Sequence, residues 1–112
     1  MKLPNADKLV VEREKIADYL LNPVHPDNGG KAEFFTQHGF HREHWEMLAT
    51  ALKTLAVESE VAIISESSHG KKYVIVGRIQ SPGGKLPMVQ SIWIVDNNRD
   101  TVRLVTAYPR KN

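Results

Sequence analysis

His25 and Lys31 share the stretch NPVHPDNGGKAEFF, residues 22–35, which breaks a helix-forming run with two prolines and two glycines. An imidazole titrates near neutral pH, so His25 is the natural candidate for moving a proton. Pro23 and Pro26 flank it and restrict the loop around it. Lys31 stands at the head of the apolar segment KAEFF, where a cation works against the helix dipole by about 0.3–1 kcal/mol. That oddity points to contact with a phosphate. Near the end of the chain, Thr106 and Tyr108 are suited to donating hydrogen bonds to a phosphoryl oxygen. Trp93 offers a ring on which a base can stack, and Arg103 a guanidinium for a phosphate. The bland alternative is a solvated loop histidine and lysine, a core tryptophan, an exposed arginine, and an edge strand packed through Thr106 and Tyr108.

The stretch HGFHREH adds His38, His41 and His44. His41 and His44 stand at i and i+3, as zinc pairs on a helix do, but Gly39 separates His38 from them and spacing sets no carboxylate partner. The chain has no cysteine, which removes disulfides and thiolate metal sites. A Walker loop, a dinucleotide fingerprint and a local triad signature are all missing, and SPGG reads as a hairpin turn. The pattern therefore implies no metal and no cofactor.

The elements that must position these residues fall into two halves. After an extended lead-in, LPNADKLVV, the segment EREKIADYLL predicts a short helix with Ile16, Leu20 and Tyr19 on one face. Asn22-Pro23 ends it, because a residue before proline avoids the helical region. A second helix starts at Lys31 and stops at Gly39. A third, from about Arg42 to Glu58, carries the apolar stripe Trp45, Leu48, Leu52 and Leu55. From Glu60 onward EVAIISES, KKYVIVGRIQ, KLPMVQSIWIV and TVRLVTAY alternate with the turn sequences SSHG, SPGG and DNNRD. Pro87 places the start of regular pairing in the third of these at Met88. The expected fold is α+β, three N-terminal helices followed by a four-stranded antiparallel sheet, in a single domain over residues 1–112. Strand alternation puts Val102, Leu104, Thr106 and Tyr108 on one face of the last strand.

Length and composition narrow the function classes. The 112 residues, 41% hydrophobic and 25% charged, suit a globular domain with one modest core. No apolar run reaches the roughly 18 residues of a membrane span, and MKLPNADK has no apolar signal region. A cytoplasmic protein without a membrane partner is expected. A net charge of +2 permits an RNA substrate without the dense basic patch of a general polyanion binder, and no DNA partner is expected.

The run KIADYLLNPVHPDNGGKAEFF, then GF, a Trp-Leu helix, GKKYVIVGRI, SIWIV and RLVTAYP, resembles a bacterial domain family of unassigned function. The likeness spans about Leu3 to Pro109, and its most specific pieces are L-L-x-x-x-H-P, G-K-A-x-F-F and T-A-Y-P. That family is similar to toxin domains of bacterial conflict systems, which occur beside small antitoxin genes. Its order of helices and sheet resembles the metal-independent ribonucleases that include barnase, EndoU, tRNA-cutting colicins and RelE-like toxins. The resemblance implies an RNA substrate, a small cognate antitoxin partner and no cofactor. It also implies a site drawn from His25, Lys31, Thr106 and Tyr108, with Trp93 and Arg103 in matching segments. This chain reads Asp27-Asn28-Gly29-Gly30 where the family commonly has Gly-Arg ahead of the lysine, so no arginine contact in the loop carries over. Two rival readings stand beside this one: a non-catalytic protein-interaction module, and a degenerate ribonuclease fold that binds RNA without cutting it.

Overall fold

The computed structural model describes residues 1–110. A 3₁₀ turn at Ala6–Lys8 leads into β1 (Leu9–Val10). Then α1 (Arg13–Lys15) passes at once into a π-helical turn, Ile16–Leu20. α2 (Lys31–Gln37), a 3₁₀ turn at Arg42–His44 and α3 (Trp45–Glu58) complete the helices. β2 (Val61–Ser67), β3 (Gly70–Arg78), β4 (Met88–Asp96) and β5 (Val102–Pro109) follow. The sheet order is β1-β5-β4-β3-β2. No helix among the described residues is long and apolar enough to cross a membrane.

The expected arrangement of three helices and four antiparallel strands is therefore corrected. The sheet has five strands and is mixed. The lead-in segment supplies β1, which runs parallel to β5 with Leu9 opposite Val102 and Val10 opposite Arg103. A two-residue strand is too short to show alternation, and its parallel partner lies at the far end of the chain. The first helix is also shorter than expected. After one α turn the Leu21 N–H reaches back to the Ile16 carbonyl at 2.8 Å, an i→i+5 bond.

α3 follows its sequence pattern. Leu48, Leu52 and Leu55, with Ala49 and Ala56, form its buried stripe. They pack in one core with Ile16, Leu20, Phe35, Phe40, Ile75, Trp93 and Leu104. α2 ends at Gly39 as expected. There φ is +94°, the Gly39 N–H bonds the Thr36 carbonyl at 3.0 Å, and the Phe40 N–H bonds Phe35 at 3.1 Å. These paired bonds form a Schellman close, and the chain turn delivers Phe40 into the core against Phe35. A side chain at position 39 would also meet Pro82 and Gly83 of the β3–β4 connection at 3.0 Å.

The expected facing of β5 holds for the buried Val102 and Leu104 and is broken beyond them by a bulge. Trp93 pairs with Leu104 and Ile92 with Thr106, which leaves Val105 as an extra residue. Beyond it the core position passes to Ala107, which is buried opposite Ser91. Tyr108 lies opposite Gln90 on the other face, and its hydroxyl accepts a hydrogen bond from Gln90 Nε2 at 2.5 Å.

Where β4 ends and β5 begins, Arg103 grips Asp96 with both arms of its guanidinium, Nε to Oδ2 at 2.8 Å and a terminal nitrogen to Oδ1 at 3.1 Å. These hydrogen bonds hold the Asp96 carboxyl below its ordinary value of 3.8. Stability from the pair is present above that ordinary value and is lost as pH falls through the lowered one. Asp96→Asn is expected to flatten this acid-side loss, read from unfolding midpoints measured at a series of pH values.

Candidate functional site

The loop between the π turn and α2 is held by one buried side chain, Asn28. Its amide nitrogen donates to the carbonyls of Tyr19 at 2.6 Å and Leu20 at 3.4 Å at the end of the π turn, where the Tyr19 oxygen also accepts the Asn22 N–H at 3.2 Å. Its Oδ1 accepts the Ala32 N–H at 2.9 Å, in the first turn of α2. Gly30, the residue that would cap α2, has no side chain and sits at φ +87°. Asn28 supplies that cap from two residues upstream, and the positive φ turns the chain into the helix. Backbone bonds from Asn28 to the His25 carbonyl (3.1 Å) and from Lys31 to the Asn28 carbonyl (3.2 Å) complete the loop.

This frame places a cleft around Tyr19. The His25 ring meets the Tyr19 ring edge-on, 5.0 Å between centroids at 68°. Across the cleft, Tyr19 Oη and Thr106 Oγ1 lie 3.1 Å apart, which links the π turn to the bulge of β5. The ammonium groups of Lys31 and Lys15 stand 5.5 and 5.7 Å from the Tyr19 ring centroid, in cation–π range. Lys31 is steadied by the Asn28 carbonyl at 3.0 Å and the Asp27 carbonyl at 3.4 Å. The opening is about 420 Å³, with Glu14 and Asp27 also on its walls. The hydroxyls of Tyr19 and Thr106, the Lys15 ammonium and the His25 imidazole thus line one open volume, with Lys31 on the Tyr19 ring beside it. A larger depression of about 560 Å³ lies between α3 and the β3–β4 connection. It is lined by Met47, Leu55, Ile79 and Leu86 and contains none of the candidate residues, so the smaller cleft is the chemically equipped one.

Of the residues expected from sequence, His25 and Thr106 meet at this cleft, and Lys31 lies against the tyrosine that joins them. Three others stand elsewhere. Trp93 is fully buried, and its indole N–H donates to Ser91 Oγ at 3.0 Å, so neither ring face is open to a base. Arg103 is engaged by Asp96. Tyr108 faces Gln90. His38 packs on Phe34, and its Nδ1 lies 2.9 Å from the Phe34 carbonyl. Among the described residues no three His, Asp or Glu side chains converge as a metal site would require. Tyr19 is the residue that sequence reasoning missed. It reads as one more position on an apolar helix face, and nothing local marks the π turn.

Removing the clamp tests the loop. Asn28→Ala leaves the Ala32 N–H without its acceptor and the Leu20 carbonyl without its side-chain donor, while the Tyr19 carbonyl keeps only the Asn22 N–H at 3.2 Å, and the change is expected to cost about 2 kcal/mol in urea unfolding. Amide exchange is expected to quicken most at Ala32.

The sequence has no significant match among curated proteins. Its fold does have a likeness among solved structures. A chain from a contact-dependent growth inhibition toxin–immunity protein complex of Klebsiella pneumoniae 342 aligns over 96% of this chain and 98% of its own length. The TM-score is 0.74 at 14% sequence identity, so what the two share is the fold. A family model matches nearly the whole chain, residues 2–111, and the chain belongs to that family, the domain of unknown function DUF6883.

Proposed function

We propose that this chain is a toxin domain of a bacterial conflict system, that it cuts RNA without a metal, and that a small cognate immunity protein restrains it. The observation that carries the reading is the Tyr19 bridge, which brings His25 of the helical half and Thr106 of the sheet to one open cleft. The fold neighbour from a toxin–immunity complex supports the toxin role and the partner. Cleavage without metal requires the 2′-hydroxyl of RNA to attack the adjacent phosphorus while the 5′-oxygen departs. It needs proton-bearing groups beside the phosphate and donors for the charge that builds on its oxygens. His25 and Thr106 bracket the place where that phosphate sits. Lys31 supplies positive charge on the Tyr19 ring at the edge of that place.

Inducible expression in a bacterial host tests this reading, with growth and total RNA followed together. Wild type is expected to arrest growth and fragment RNA. His25→Ala and Lys31→Ala are each expected to relieve both effects, with cleavage by the purified variants down about 100-fold or more. Unimpaired growth and intact RNA, from a soluble folded product, favour the interaction module instead.

A further inference from the structure

The hydrogen bonds around His25 restrict what its ring can do. Its Nδ1 accepts the Asp27 backbone N–H at 3.1 Å. That donor assigns the neutral ring its proton on Nε2. In this form Nε2 donates a hydrogen bond and has no lone pair with which to take a proton. The imidazole is therefore built as a donor, and the proton that moves during cleavage has to come from another group.

Tyr19 is that group by position. Its hydroxyl is paired with Thr106 at 3.1 Å, and two ammonium groups flank its ring at 5.5 and 5.7 Å. Its backbone carbonyl is tied by Asn28 at 2.6 Å, so the residue is fixed at both ends. It also sits in a π turn, a distortion that recurs at functional sites.

We propose that Tyr19 carries the proton in this cleft while His25 acts as a hydrogen-bond donor to the phosphate, an assignment that rests on the ribonuclease reading above. The 2′-oxygen bonds to phosphorus as the bond from phosphorus to the 5′-oxygen breaks, giving a cyclic phosphate and a 5′-hydroxyl. Tyr19 gives its hydroxyl proton to the departing 5′-oxygen. A water in the open cleft takes the 2′-hydroxyl proton and returns one to the phenolate. Thr106 turns its own O–H toward the phenolate oxygen, and Lys15 and Lys31 face the charge left on the ring. His25 Nε2–H donates to a non-bridging phosphate oxygen.

Tyr19→Phe keeps the ring, its edge contact with His25 and its two ammonium neighbours, and removes only the hydroxyl. Two substrates separate its roles: a plain RNA dinucleotide, and the same dinucleotide with sulfur in place of the 5′-bridging oxygen, whose thiolate leaves without a proton. The variant is expected to lose about 100-fold or more on the plain substrate and to cleave the sulfur substrate at close to the wild-type rate. Equal losses on both substrates overturn the proposal and leave the ribonuclease reading standing. A wild-type protein that cleaves neither ends both. The nitrogen-15 shifts of the His25 ring in the wild-type protein give a readout that needs no turnover and no variant. They are expected to show the proton on Nε2, and a proton on Nδ1 overturns the proposal.

Discussion

One buried amide, Asn28, carries the geometry on which the candidate site depends. It satisfies carbonyls at the end of the π turn and an N–H at the start of α2 with a single side chain. A buried polar group without partners costs about 1–3 kcal/mol, so its three contacts strongly favour one conformation of the loop. The awkward composition of NPVHPDNGGKAEFF follows from that clamp. The prolines limit the approach, Asn28 locks the middle, and the glycines turn the chain into the helix. His25 and Lys31 flank the clamp in sequence, and both end beside the residue whose carbonyl it grips.

Two local irregularities make the rest of the cleft. A π turn sets Tyr19 where it reaches the sheet, and a one-residue bulge in β5 keeps Thr106 half-exposed at the meeting point. Both interrupt regular hydrogen bonding at the same place. Such interruptions cost stability, and here the core beneath them is well supplied, with Trp93, Phe35, Phe40 and the α3 stripe fully or nearly fully buried. The cleft is thus an irregular rim carried on a regular core. In sheet order it lies by β5, three strands from the opposite edge at β2.

Regular elements were legible in the sequence, and irregular ones were not. The 3.6-residue spacing of Leu48, Leu52 and Leu55 marks α3, Gly39 marks the end of α2, and Pro87 marks where β4 begins. Each rests on a local rule that the tertiary structure obeys. β1 is two residues long and pairs with a strand ninety or so residues away, a long-range pairing that no periodic signal announces. The bulge at Val105 inverts the facing of β5 beyond Leu104, because alternation counts residues and a bulge adds one. Among the candidate residues, His25 and Lys31 stand out in the sequence by their awkward loop, and Thr106 by its hydroxyl in the T-A-Y-P ending. Tyr19 does not, since its place in the cleft comes from a backbone distortion rather than from composition. Trp93 looked like a stacking platform because aromatic side chains serve both surfaces and cores, and burial decided for the core.

The ribonuclease proposal places the phosphate of an RNA chain between Tyr19, His25 and Thr106. A titration of nitrogen-15-labelled protein with a dinucleotide lacking the attacking 2′-hydroxyl measures this directly, because the ligand binds without being cut. Amide shifts are expected to concentrate at Tyr19, His25, Lys31 and Thr106 and to weaken as salt is raised. Shifts confined to the depression between α3 and the β3–β4 connection, or no shifts at all, would contradict that placement.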